Sequence, residues 1–296
     1  MPQALTLSSI SYLLSSKGDS TSYELPITNC DYSSKCIVGI FLVRNEERFV
    51  ERAVSNVLDF CDQLLLVDHE SSDRTVSILQ QLQHSYPEKI SLHQIQHPSE
   101  SQDLLQPFIG TPTWIFGVDG DELYDSERLV TFRQRILAGE FDEYWMVLGN
   151  VLHVDDLNKA ANQASGYLAP PSRSITKLYN FIAIDAWPGK TLERLHGGQP
   201  QFKFGFHEQK KRLLQHECSW EESPLRCLHL CFLKRSSVET GTERSNIMEI
   251  YNQSFLSWIK KKFRFLFPKP VSWKQQYYQR GSHQTVDTAP FFKKEI

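Results

Sequence analysis

From Cys36 onward the chain alternates unbroken apolar runs of strand length with segments whose apolar residues recur every three to four positions. Ile37 to Val43 is continuous around one glycine, as in a strand buried on both faces, and Glu46 to Leu58 sets Phe49, Ala53, Val54 and Val57 on one helical face. The unit repeats. Gln63 to Val67 predicts a second strand, and Ser71-Ser72-Asp73 offers capping groups ahead of a helix bearing Val76, Ile78, Leu79 and Leu82. Ile90 to Ile95 predicts a third strand, a short helix follows near Leu104, and Thr113 to Val118 predicts a fourth strand. Strand and helix in alternation with short connections predict an α/β fold with a mostly parallel sheet. Asp125 to Leu137 then reads as a helix closed by Gly139 and Tyr144 to Val154 as one long strand. Residues 158 to 171 read as a loop, and Ile175 to Ile184 and Leu225 to Leu233 as further strands. Residues 1–35, rich in Ser and Thr, read as an extension, and residues 234–267 as a helix stopped by Pro268. The expected division is 1–35, a main domain over 36–233 with halves 36–125 and 126–233, and a C-terminal helix and tail over 234–296.

Composition narrows the class without changing this picture. A chain of 296 residues with 40% hydrophobic and 23% charged positions and a mean hydropathy of -0.39 has the profile of a folded globular protein. Its 32 basic and 35 acidic residues, net charge -3, give no global attraction to nucleic acid. No apolar run approaches the roughly 20 residues of a membrane-spanning helix, and the first fifteen residues lack a basic segment before their weak apolar stretch. A cytoplasmic location is the expectation. Six scattered cysteines in a chain of this size predict free thiols rather than a disulfide framework.

In an open parallel sheet ligands bind beyond the carboxyl ends of the strands. Three polar clusters fall there: Val43-Arg44-Asn45-Glu46-Glu47 after the first strand, Asp68 to Thr75 after the second, and Asp119-Gly120-Asp121-Glu122 after the fourth. Asp119 and Asp121 repel each other unless a cation is shared, and a hard divalent ion, Mn²⁺ or Mg²⁺, suits such carboxylates together with a diphosphate.

In the order and spacing of these clusters the sequence resembles the family 2 glycosyltransferases of the GT-A fold, well over residues 36 to 125 and later through Phe206-His207-Glu208 and Leu228-His229-Leu230. The resemblance implies inverting transfer of a sugar from a nucleotide sugar, UDP- or GDP-linked, to a glycan, lipid or other hydroxyl acceptor. It assigns residues 36–125 to the donor and 126–233 to the acceptor. Arg44, Asn45, Glu46, Asp68, Asp73 and Asp119 would hold the nucleotide sugar. Asp119, Asp121 and His229 would hold the metal, with His207 as a substitute for His229. Glu208 would be the catalytic base, ahead of Asp142 and Glu143. This sequence departs from the family in carrying Glu70 and Gly120 where Gly and a small residue or Ala are common. A degenerate GT-A binding or scaffold protein and a nucleotidyltransferase are the alternatives. The latter usually needs a Gly- and Arg-rich phosphate loop where Val43-Arg44-Asn45 stands.

Strand alternation puts Cys227, His229 and Cys231 on one face, but residues two apart along a strand project roughly 7 Å from each other, too far for one zinc. Trp187, Trp220, Tyr167, Tyr179 and Gly197-Gly198 are candidates for an acceptor wall. Residues 256–296 carry nine basic groups against two acidic, net +7, which leaves -10 on residues 1–255. With Trp258, Phe263, Phe265, Leu266 and Phe267 interleaved, this tail suits either packing on the domain or peripheral contact with anionic lipid at the inner face of a membrane.

Overall fold

The computed structural model describes residues 34–170, 176–189, 191–239 and 276–292. The expected alternation is present: β1 (Cys36–Val43), α1 (Val50–Val57), β2 (Gln63–His69), α2 (Thr75–Ser85), β3 (Ile90–Ile95), a 3₁₀ segment (Pro98–Phe108) and β4 (Thr113–Val118). Then come β5 (Glu122–Tyr124), α3 (Ser126–Leu137), β6 (Met146–Leu148), β7 (Asn150–Asn158), β8 (Gln163–Ala169), β9 (Lys177–Asn180) and β10 (Ile184–Ala186). The remainder is β11 (Thr191–Glu193), β12 (His196–Gly197), β13 (Gln201–Phe202), β14 (Lys211–Leu213), α4 (Leu214–Glu217), β15 (Arg226–His229) and β16 (His283–Asp287).

The main sheet has the order β14-β6-β9-β4-β1-β2-β3, with β4, β1, β2 and β3 mutually parallel and β9 antiparallel to both its neighbours. It is the mixed, mostly parallel sheet flanked by helices that the pattern predicts. β1 is buried along its whole length because both faces are covered: Ile37, Phe41 and Val43 join one core, and Cys36, Val38, Ile40 and Leu42 the other. α1 and α3 supply Val54, Val57, Leu129 and Phe132 to the first, and the 3₁₀ segment supplies Leu105 and Phe108 to the second. Asp125 caps α3 by accepting the Arg128 amide, and Arg226 grips the same carboxylate at 2.8 Å in the interior.

Three expectations from the pattern fail. Tyr144 to Val154 is not one strand: it is cut at Gly149, with β6 in the main sheet and β7 in a second sheet of order β16-β8-β7-β15-β5. A Cβ on Gly149 would sit 2.1 Å from the Leu225 carbonyl oxygen, so only glycine lets the chain change sheets against that backbone. Residues 158 to 171 are not a loop, since β8 pairs antiparallel with β7 from Gln163 to Ala169. The expected strand from Ile175 is interrupted after Asn180 by a short 3₁₀ turn. Residues 234–239 are irregular, and the expected helix beyond them lies outside the described residues. Most of the aromatic basic tail and of the N-terminal extension lies outside them too. The five described cysteines are free thiols, and no described helix is long and apolar enough to cross a membrane.

Candidate active site

The carboxyl ends of β1, β2 and β4 converge, and their loops are tied by side chain to backbone bonds that the turn residues supply. Ser71 Oγ accepts the Asn45 amide at 2.9 Å, Asn45 Oδ1 accepts the Ser72 amide at 2.8 Å, and Thr75 Oγ1 accepts the Glu46 amide at 2.8 Å. Asp73 accepts the amides of Thr75 and Glu47 and the Ser236 hydroxyl. Asn45 and Glu70 both take left-handed backbone angles, φ 56° and 53°. That conformation explains why a glycine suits the position of Glu70. Arg44 stands close enough to His69 to depress its pKa, after burial, the larger cause.

Asp68, next to last in β2, lies in the interior, 2% exposed. Its Oδ2 accepts the Ser71 amide at 3.2 Å, while Oδ1 has no hydrogen-bond partner among the described residues. Burial raises its pKa, with the Ser71 bonds opposing. A buried acceptor of this kind at a sheet edge is costly unless a ligand donor completes it.

Asp119, Asp121 and His229 come together: one ligand atom from each lies within 4.8 Å of the others. β15 runs antiparallel beside β5, which follows Asp121 directly, and the Asp121 carbonyl accepts the Leu230 amide. His229 Nε2 is thereby 3.6 Å from Asp121 Oδ1. Gly120 sits tightly between the carboxylates, since a Cβ there would meet Val43 Cγ1 and Glu46 Cγ at 2.9 Å and push one of those side chains aside. Two carboxylates and an imidazole form a donor set that fits Mn²⁺ or Mg²⁺.

Two arginines, neither evident from the sequence pattern, also neutralise this pair. Arg235 Nη1 lies 2.6 Å from Asp121 Oδ2 and 3.2 Å from Glu46 Oε1, with all three side chains at most 6% exposed. Burial alone would lower the Arg235 pKa, but the Asp121 and Glu46 charges outweigh it and raise it. Arg194, also buried, donates from Nη2 to Asp119 Oδ1 at 2.6 Å and from Nη1 to the Val118 carbonyl. Each guanidinium takes one oxygen of its aspartate. The segment carrying Arg235 is fastened to the first loop, the Arg48 amide donating to the Arg235 carbonyl and the Ser237 amide to Glu47 Oε1 at 2.6 Å. Ser237 and Arg74 hold the Glu47 carboxyl down at about 2. Only the fold marks these arginines, because each reaches the carboxylates from a distant irregular segment. Lys234-Arg235-Ser236, just beyond a strand at the ligand-binding edge, was the available signal.

Glu122 completes the cluster. Buried against Asp119, its carboxyl is pushed up to about 8, chiefly by desolvation and then by the Asp119 charge, and it accepts the Tyr124 hydroxyl at 2.9 Å.

Glu208 does not join this group. It precedes β14, whose Lys211 is level with Met146 of β6, which is level with Tyr179 and so with Ile115 near the start of β4. The loop of Glu208 therefore lies at the amino edge of the sheet, a strand length of roughly 20 Å from the carboxylates. Its side chain is 72% exposed beside Lys211, so the structure does not bring Glu208 together with Asp119, Asp121 and His229. His207, on the same exposed loop, leaves with it. Asp142 is taken by Lys35 at 2.7 Å. Trp187, Trp220 and Tyr179 are core residues, at most 8% exposed. Trp187 packs on Tyr179 and Phe181, Trp220 stacks on Phe291, and Tyr167 packs on His283.

No protein-family model matches the chain. Over 149 residues, 50% of its length, it is 24% identical to an uncharacterized glycosyltransferase of Rickettsia bellii (strain RML369-C), and the match spans 47%, about half, of that relative. Among solved structures, S. aureus TarS in complex with UDP overlaps 49% of this chain and 47% of its own, with a TM-score of 0.33 and 16% identity. Glucosyl-3-phosphoglycerate synthase of Mycobacterium tuberculosis, in complex with Mn²⁺, UDP and glucosyl-3-phosphoglycerate, overlaps 52% of this chain and 60% of its own, with a TM-score of 0.34 and 14% identity.

Proposed function

We propose that this protein is a glycosyltransferase of the GT-A type, transferring a sugar from a nucleoside diphosphate sugar to a hydroxyl acceptor. The observation that carries the reading is the convergence of Asp119, Asp121 and His229 within 4.8 Å at the same sheet edge as the buried, half-satisfied Asp68. The similarity to a glycosyltransferase over half the chain agrees with it.

In this reading Asp68 Oδ1 accepts a hydrogen bond from the base or ribose, and the rigid Asn45–Glu46 loop lies against the nucleoside. Asp119, Asp121 and His229 would hold Mn²⁺ or Mg²⁺, which when bound stabilises the charge developing on the leaving diphosphate. Arg194 and Arg235 hold the Asp119 and Asp121 carboxylates in place, so these residues would bind the ion with little reorganisation. Inversion at the anomeric carbon requires a group that accepts the acceptor's proton at this same edge. A glycan or lipid-linked acceptor belongs to the same proposal.

Isothermal titration of UDP, GDP and CDP with and without Mn²⁺, followed by a donor-sugar screen with mass detection of product, tests the proposal. Tight binding of one nucleoside diphosphate only with Mn²⁺, lost in Asp121→Asn, is expected. Absence of binding by all three nucleotides would refute it in favour of a degenerate scaffold.

A further inference from the structure

His153 of β7 stands directly opposite His229 of β15 in parallel register, and their Nδ1 atoms are 3.1 Å apart. Two residues beyond His229, after the strand has ended, the chain brings Cys231 Sγ to 3.9 Å from His153 Nδ1. One ligand atom from each of the three lies within 4.8 Å of the others, and all are buried, with exposures of 0, 4 and 2%. Spacing along one strand argued against zinc. The cross-strand neighbour supplies what that spacing lacked.

We infer that His153 Nδ1, His229 Nδ1 and Cys231 Sγ form a thiophilic metal site of the zinc class, separate from the Asp119–Asp121 set and sharing His229 with it. Tetrahedral zinc, with Zn–N of about 2.0–2.1 Å and Zn–S of about 2.3 Å, separates two nitrogens by about 3.4 Å and nitrogen from sulfur by about 3.6 Å. The observed 3.1 and 3.9 Å differ from these by a few tenths of an ångström. Two imidazoles and a thiolate select a borderline-soft ion, whereas the aspartates select a hard one. The Tyr278 ring stacks on His153 at 4.2 Å and 4°, which fixes the imidazole plane. The Arg235 guanidinium lies within electrostatic reach of Cys231.

Without metal, the Nδ1···Nδ1 contact is a hydrogen bond in which one ring donates. Zinc binding replaces it. The Cys231 thiol loses its proton to solvent as the Zn–S bond forms, the ring that donated through Nδ1 gives up that proton and takes one on Nε2 through solvent, and each ring then gives its Nδ1 lone pair with its single proton on Nε2. In His229 that proton faces Asp121 Oδ1, 3.6 Å away, so no lone pair remains for an ion between Asp119 and Asp121. Zinc at the new site therefore takes His229 from the hard-ion set. The site itself is independent of the glycosyl-transfer reading, and only this antagonism rests on it.

Cobalt(II) titration of the full chain under reducing, oxygen-free conditions tests the inference. One equivalent should produce a thiolate-to-cobalt charge-transfer band, displaced by one equivalent of Zn²⁺. Cys231→Ser should abolish the band and His153→Ala should weaken metal binding at least tenfold, while Asp121→Asn keeps both. No thiolate band in the folded wild-type protein, or a band that survives Cys231→Ser, overturns the site. X-ray absorption of the zinc-loaded wild-type protein gives a reading that does not depend on variants folding: a shell of nitrogen and one sulfur supports the site, and a shell without sulfur overturns it. Mn²⁺-dependent UDP binding, measured in parallel, separates the two ideas, since its absence beside an intact cobalt band sinks the transferase reading alone.

Discussion

Replacing Arg235 by methionine keeps most of the side-chain volume and removes the charge that faces Asp121 at 2.6 Å and Glu46 at 3.2 Å. Both carboxylates are nearly sealed from water, with exposures of 1 and 3%, so two buried negative charges lose their shared cation. Breaking a buried ion pair from one side typically costs 3–5 kcal/mol, and the same range is expected here, about 4 kcal/mol. Urea denaturation at pH 7, read by tryptophan fluorescence and circular dichroism, gives the value. The charge argument makes a second, sharper claim. If loss of compensation is the cause, Asp121→Asn should cost much less in the Arg235→Met background than alone, a coupling of about 2 kcal/mol or more. A divalent ion on Asp119 and Asp121 supplies the missing charge, so Mn²⁺ at a hundred times its dissociation constant should restore about 2.7 kcal/mol. A cost under 1 kcal/mol, or additive effects of the two substitutions, would refute the assignment of Arg235 as the counter-charge of this cluster.

Four further outcomes follow from the geometry. Asp68→Ala should weaken nucleoside diphosphate binding by about 1.5–3 kcal/mol through loss of a charged acceptor, and unchanged affinity in titration calorimetry assigns Asp68 to the Ser71 turn alone. Glu208→Gln, at the far edge of the sheet, should change neither stability beyond about 0.5 kcal/mol nor nucleotide affinity, and a loss of nucleotide affinity would contradict the topology. Gly149→Ala places a methyl 2.1 Å from the Leu225 carbonyl oxygen and should destabilise by at least about 3 kcal/mol; a Tm within a few degrees of wild type contradicts the sheet switch. Glu193 is a pH probe: burial opposes its charge, but the bonds to His196 and the Arg194 charge prevail and hold its pKa at about 2 against 4.5. Below pH 4.5 the unfolded chain takes up this proton first, so the stabilisation, full above 4.5, is lost as pH falls towards 2. It amounts to roughly 3 kcal/mol. Glu193→Gln should flatten that acid limb in denaturation curves collected between pH 5 and 2.5, and an unchanged slope refutes it.

Periodicity determined the first half of this protein. β1, β2, β3 and β4 coincide with the expected strands to within two residues, because β1, β2 and β4, covered on both faces, are nearly continuous apolar runs, while the partly buried edge strand β3 keeps enough apolar residues to be read between helices that are apolar at every third or fourth position. The same logic put Asp68, Asp119 and Asp121 at the ligand-binding edge, since the residue after a buried parallel strand can lie nowhere else. His229, assigned to the metal set by resemblance, also reaches that edge, beside Asp121. What depends on contacts between distant segments could not be read along the chain. Arg194 and Arg235 reach the aspartates from 75 and 114 positions away, and a buried cation leaves no periodic trace. Glu208 sat in a plausible motif, yet the short parallel pairing of β14 with β6 carries it to the opposite edge. Nor does any local pattern distinguish one strand from two joined at Gly149, because the break is dictated by the Leu225 backbone crossing there. The meeting of His153, His229 and Cys231 is of the same kind: sequence fixes which side of a strand a residue occupies, while only the registry of neighbouring strands decides what it faces.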